Sequence, residues 1–129
     1  MIVDTSALIA ILKNEPEALR FSLAIESDDN PKLSVVNFVE AAVVTDSARN
    51  PVVSRRLDEL IKFGEIEIRP VSVEQGRLAR AAYRDFGRGS GHAAKLNFGD
   101  CFAYALAAET GEPLLYKGFD FSATDIKSA

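Results

Sequence analysis

The chain has 129 residues, 47% apolar and 26% charged, which fits one domain spanning residues 1–129 and leaves no room for a second of ordinary size. No apolar run approaches the roughly 18 residues of a membrane span, and Met1-Ile2-Val3-Asp4 lacks the basic region of a signal peptide; a cytoplasmic protein with no membrane partner is expected. The formal charge of −4 hides a division into −5 over residues 1–68, +4 over 69–99 and −3 over 100–129, so the acidic average does not exclude a polyanionic partner for the basic middle.

Met1 to Val3 reads as a short buried strand ending at Asp4-Thr5-Ser6, with a first helix over 7–13. Asp4 then stands at a strand's carboxyl end, the edge where open α/β sheets collect ligands. Capping of that helix by Asp4 or Thr5 is the plainer alternative. Asn14-Glu15-Pro16 restarts a helix that continues to Ser27, and 28–31 is a turn. A second strand covers 32–34 and a helix 36–48, on which Asn37, Glu40, Ala41 and Val44 share one face. Asn50-Pro51 opens a further helix that Gly64 closes, its mixed charges forming a solvated face.

Residues 66–69 alternate Ile66 and Ile68 with Glu67 and Arg69, the pattern of an edge or half-exposed strand. Ser72 to Gln75 has capping-box spacing and starts a helix to Phe86. Arg77, Arg80 and Arg84 form a stripe along it, continued by Arg88; it is either a grip for phosphates or a solubilising face. Gly87 to Lys95 is a Gly-rich basic loop without nucleotide-fingerprint spacing, a substrate-contacting lid or a plain connector. His92, the only histidine, has no acid at helical spacing and receives no catalytic role. A helix over 97–108 ends near Gly111, and a last strand over 113–116 places Asp120 just past its end. The single cysteine, Cys101, excludes an intrachain disulfide and reads as a small apolar filler.

Strands alternating with helices imply a parallel α/β sheet with helices on both faces. Three apolar stretches, 1–12, 33–44 and 97–108, each hold one acid and no base: Asp4, Glu40 and Asp100. A carboxylate in such surroundings costs about several kcal/mol unless a cation or several donors meet it, so the three are expected to converge on a divalent cation. Oxygen ligands without a His or Cys cluster suit Mg²⁺ or Mn²⁺ and argue against zinc. Crowded carboxylates repel, raising at least one pKa, and the chemistry such a site indicates is metal-assisted phosphoryl transfer.

MIVDTSALIAIL at the start, Glu40 after the second strand, and NFGDCFAYALAAETGEPLLYKGFDFSATDI near the end together resemble the VapC-type toxins of the PIN-domain family over essentially the whole chain. The resemblance implies a PIN-domain, Rossmann-like parallel sheet flanked by helices, and a Mg²⁺-dependent endoribonuclease. It implies the toxin of a type II (VapBC) toxin–antitoxin system, blocking translation by cutting RNA and silenced by a VapB-type antitoxin. Toxin homodimers within a toxin–antitoxin hetero-oligomer belong to the same expectation. Asp4, Glu40 and Asp100 match the family's acidic quartet by position. Phe119 stands where members with this tail often carry an acidic or amide residue, which makes Asp120 the fourth candidate, with Asp125 behind it. Thr5 or Ser6 is expected to orient a carboxylate or a metal-bound water. A haloacid-dehalogenase-like phosphatase would want a second acid where Ser6 stands. A non-catalytic module binding RNA or a partner through the Arg77–Arg88 stripe would keep its RNA affinity with every acid neutralised.

Overall fold

The computed structural model describes all residues from Met1 to Ala129. Four short strands, β1 (Ile2–Val3), β2 (Lys32–Ser34), β3 (Glu67–Arg69) and β4 (Leu114–Leu115), form one sheet in the order β3-β2-β1-β4, every pair parallel. Ile2 lies opposite Lys32 on one side and Leu114 on the other. Parallel neighbours need crossovers, supplied by α1 (Thr5–Leu12), α2 (Ala18–Glu26), α3 (Val35–Asp46), α4 (Pro51–Phe63), α5 (Val73–Phe86) and α6 (Phe98–Thr110). No helix is long and apolar enough to cross a membrane.

Period-two alternation sends successive strand residues to opposite faces. Val3, Leu33 and Leu115 enter a core with Leu8, Phe21, Ile25, Ala41 and Leu57 of α1 to α4. Ile2 and Leu114 enter the other, with Ala79 of α5, Leu106 of α6, Leu96 and Phe121. The result is three layers, with α1 to α4 on one face of the sheet and α5 and α6 on the other. Each fully buried Leu or Phe contributes about 1.5–3 kcal/mol by leaving water.

Local chemistry sets the boundaries. Asn50 accepts from the Val52 amide at 3.0 Å and Pro51 is the first residue of α4, which Gly64 ends. Gly111 closes α6 in the left-handed region at φ 71°. Helix starts differ from the sequence reading by one residue at α3 and α6 and by more at α1 and α2. α1 begins at Thr5 because Asp4 is its cap, and α2 begins at Ala18, the residues after Pro16 being spent on a turn in which the Ala18 amide donates to the Glu15 carbonyl at 2.9 Å. β3 sits at the sheet edge, as its alternating pattern implies. Strand order reverses at β1, so the carboxyl ends of β1 and β4 border the crevice where doubly wound sheets place their ligands.

Candidate active site

Asp4 follows β1 directly and enters that crevice with 2% of its surface exposed. Its Oδ2 accepts from the Ser6 amide at 3.0 Å and the Ser6 hydroxyl at 2.6 Å. Ser6 Oγ in turn accepts from the Lys117 amide at 2.9 Å, which stitches the exit of β4 to that of β1. Asp4 Oδ1 is buried without a hydrogen-bond partner. The two readings of Asp4 are therefore compatible: one oxygen caps α1 and the other is left for a ligand. Burial pushes its pKa from 3.8 up to about 6, against the lowering by the Ser6 bonds and with repulsion from Glu40 added.

Asp100 stands in the first turn of α6, where the helix dipole favours an anion. It closes a reciprocal cap with Asn97: Asn97 Oδ1 accepts from the Asp100 amide at 2.9 Å and Asp100 Oδ2 from the Asn97 amide at 3.0 Å. Burial nonetheless raises its pKa from 3.8 to about 7, the Asn97 bond opposing the rise while Asp4, Asp120 and Glu40 each repel a further negative charge.

Glu40 projects from α3 over the backbone of Gly99, so closely that a Cβ at residue 99 would overlap its carboxyl group. One turn earlier the fully buried Asn37 donates to the Gly99 carbonyl at 3.0 Å and reaches Glu40 Oε1 at 3.5 Å. Thr5 Oγ1 donates to the Asn37 carbonyl at 3.1 Å. Thr5 thus ties α1 to α3, and Ser6 is the hydroxyl that orients a carboxylate.

Asp4, Glu40 and Asp100 line one open cavity of about 340 Å³ together with Glu15, Asn97 and Lys117. Lys117, the cavity's one base, is held by Glu15 and, at 3.2 Å, by Glu17. Asp120 lies outside this lining, exposed at the start of a 3₁₀ turn over Asp120–Ala123, yet close enough to oppose ionisation of Asp100. Asp125 instead accepts from the Tyr104 hydroxyl at 2.8 Å. The Cys101 thiol is buried, and burial with the Asp100 charge pushes its pKa up to about 11, so it is no thiolate near neutrality. On α5, Arg77 lies 3.8 Å from Glu74 and Arg84 2.9 Å from Asp85, so two members of the basic stripe face acids of their own helix.

The donor set suits a hard divalent cation: oxygens only, two carboxyls whose ionisation is held back, and an orphaned buried Oδ1. No three His, Cys, Asp or Glu side chains already stand as a finished ligand set, so an ion would have to draw the carboxylates inward. Sequence reasoning missed Glu15, Asn97 and Lys117 as members of the site. Asn97 had a signal, its place three residues before Asp100. Glu15 and Lys117 meet across 102 residues and had none.

The PIN domain family matches residues 1–127. VapC ribonuclease Mb0625 of Mycobacterium bovis and ribonuclease VapC28 of Mycobacterium tuberculosis are each 55% identical over 129 residues, covering 100% of this chain and 97% of theirs. Among solved structures, Mycobacterium tuberculosis VapC20, described as a Sarcin-Ricin loop cleaving toxin, superposes with a TM-score of 0.76 at 15% identity over 99% of this chain and 97% of that one. A toxin–antitoxin complex from Klebsiella pneumoniae gives 0.73 at 18% identity over 96% and 92%. Identities that low speak for the fold alone, whereas the match to the family and the 55% relatives speak for descent. The chain belongs to the PIN-domain family, among its VapC ribonucleases.

Proposed function

We propose that the protein is a metal-dependent endoribonuclease, the toxin of a VapBC-type toxin–antitoxin pair, cutting RNA in the cytoplasm and thereby inhibiting translation. The observation that carries this reading is the meeting of Asp4, Glu40 and Asp100 at one cavity, with Asp4 Oδ1 buried and unpaired. These three would hold Mg²⁺, or Mn²⁺ in its place, and Asp120, whose charge opposes ionisation of Asp100, is the candidate for the fourth acid. A divalent cation there supplies Lewis acidity toward a phosphoryl oxygen and eases deprotonation of an attacking water.

The chain's own part is to hold the acids in register. Ser6 fixes Asp4 Oδ2 and leaves Oδ1 facing no protein donor. Asn37 and the bare Cα of Gly99 seat Glu40. Asn97 fixes one oxygen of Asp100. Without a cation, burial holds the Asp4 and Asp100 carboxyls up near 6 and 7, so cation binding would compete with protons there and weaken as pH falls below neutrality.

An antitoxin partner follows from the same kinship, and its inhibitory segment is read as inserting a basic side chain into the acidic cavity. Homodimers within the toxin–antitoxin complex belong to the proposal. An exposed apolar strip beside Glu40, formed by Val39, Val43, Val44 and Phe98, supports contact with another chain. The decisive experiment incubates the purified protein with total RNA in Mg²⁺ and in EDTA, beside Asp4→Asn. Cleavage confined to the wild type in Mg²⁺ is expected. Cleavage undiminished by EDTA or by the substitution refutes the metal site, and RNA bound but never cut indicates a non-catalytic binding module.

A further inference from the structure

The Gly-rich loop between α5 and α6 has no part in the site described above, yet its two ends are tied together. Its neck is closed by two backbone bonds, Arg88 amide to Leu96 carbonyl at 3.0 Å and Leu96 amide to Phe86 carbonyl at 2.8 Å. Between them the chain turns through left-handed positions at Gly89 and Gly91, both φ 84°, and at Lys95, φ 53°. A lysine there is uncommon and needs a surrounding structure that holds it. His92 supplies part of that hold: its Nδ1 accepts from the Ala94 amide at 3.1 Å, and its ring packs edge-on to Phe86 at 4.9 Å.

This loop walls an open cavity of about 760 Å³, lined by Arg88, His92 and Lys95 together with Asp120. Arg88 and Lys95 are both exposed, and neither pairs with a carboxylate, unlike Arg77 and Arg84 on the preceding helix. Two unpaired cations on one loop attract an anion, and the groove between them is open at the surface, so a phosphodiester chain can lie along it. The loop abuts the acidic cavity, since Leu96 leads straight into Asn97, which lines that cavity and exchanges two hydrogen bonds with Asp100. A polyanionic strand whose scissile phosphate lay at the acids would therefore pass along the loop.

We propose that the loop Gly87–Leu96 is a phosphate-binding element, in which Arg88 and Lys95 grip the backbone of single-stranded RNA next to the scissile phosphate. The proposal rests on the ribonuclease reading and adds to it a second anchoring point for the substrate. The loop acts on the sugar–phosphate chain, without reading bases, so it contributes affinity and register and leaves sequence choice to other contacts.

The test measures fluorescence anisotropy of a labelled mixed-sequence single-stranded RNA against the full chain, in EDTA so that nothing is cut, over a salt series. Arg88→Gln with Lys95→Asn removes both charges, the asparagine being at ease in the left-handed region. The expected result is affinity weaker by about tenfold and a slope of log K against log salt shallower by roughly 1.4, two single-strand contacts at about 0.7 each. In cleavage assays with Mg²⁺, KM rises and kcat holds, and Arg88→Lys with Lys95→Arg restores wild-type binding. Arg77→Gln with Arg84→Gln removes as much charge from α5 and leaves affinity within about threefold.

Equal losses in the two pairs, or an unchanged slope in the loop pair, overturn the proposal. So does a loop pair that loses binding to a polyglutamate peptide with RNA affinity intact, which assigns the loop to a protein partner. Should the pair fail to fold, Arg88→Gln alone carries the test at half the slope change. Wild type that cuts RNA while the loop pair binds it unchanged refutes the loop alone; wild type that neither binds nor cuts refutes the ribonuclease reading and the loop with it.

Discussion

Asp100→Asn is expected to make the metal-free protein more stable. Burial holds the Asp100 carboxyl near pKa 7 where an unfolded chain would have 3.8. At about 1.36 kcal/mol per unit this amounts to about 4 kcal/mol of opposition to the charged form. Water on the open side of the cavity screens part of it, leaving about 2 kcal/mol. The asparagine keeps an oxygen for the Asn97 amide, so the cap survives the change. Because the folded pKa is raised, the wild type binds an extra proton when folded between about pH 4 and 7 and loses stability as pH climbs through that window. Calorimetry in EDTA should then show no difference between the proteins near about pH 4 and a midpoint higher by about 5–10 °C for the variant near about pH 8. Added Mg²⁺ should raise the wild type and not the variant. A variant no more stable than wild type at the alkaline end would refute the claim that burial in the empty site opposes the charge on Asp100.

Gly99→Ala should abolish cleavage in a chain that still folds, because the new methyl takes the space of the Glu40 carboxyl and the flexible Glu40 side chain must swing out of the site; the melting midpoint should barely move, and an alanine variant cutting RNA at the wild-type rate would contradict the packing. Ser6→Ala removes both the donor to Asp4 Oδ2 and the acceptor for the Lys117 amide. Titration calorimetry should report Mg²⁺ affinity lower by about 10–100-fold, and unchanged affinity would leave Ser6 as a cap residue only.

Much of this fold was legible because the chain is punctuated. Pro31, Asn50-Pro51 and Gly64 bound β2 and α4 at the residues that turn chemistry predicts. The three solitary acids were legible for a different reason: each interrupts an apolar run, and burial makes such an interruption costly. What resisted reading was chemistry shared between functions. Asp4 looked like either a cap or a ligand, and it serves the first with one oxygen and is open to the second with the other. Gln75 sits at the capping-box position of α5, yet its amide donates to Glu109 at 2.6 Å and ties α5 to α6, a choice made by tertiary packing. Lys117 and Glu15 illustrate the remaining limit, since pairs so distant in the chain leave no periodic trace. The basic stripe of α5 was visible from spacing alone, but spacing could not show that Arg77 and Arg84 spend their charge on neighbours.

The reciprocal cap at the start of α6 wires the reaction centre to a backbone signal. Because Asp100 lines the acidic cavity and one of its oxygens holds the Asn97 amide, anything that captures this carboxyl changes the electron density felt by that one N–H group. In a nitrogen–proton correlation spectrum the Asn97 resonance becomes a native beacon. It would register the arrival of an ion, a substrate or an inhibitory side chain without any label attached to the protein.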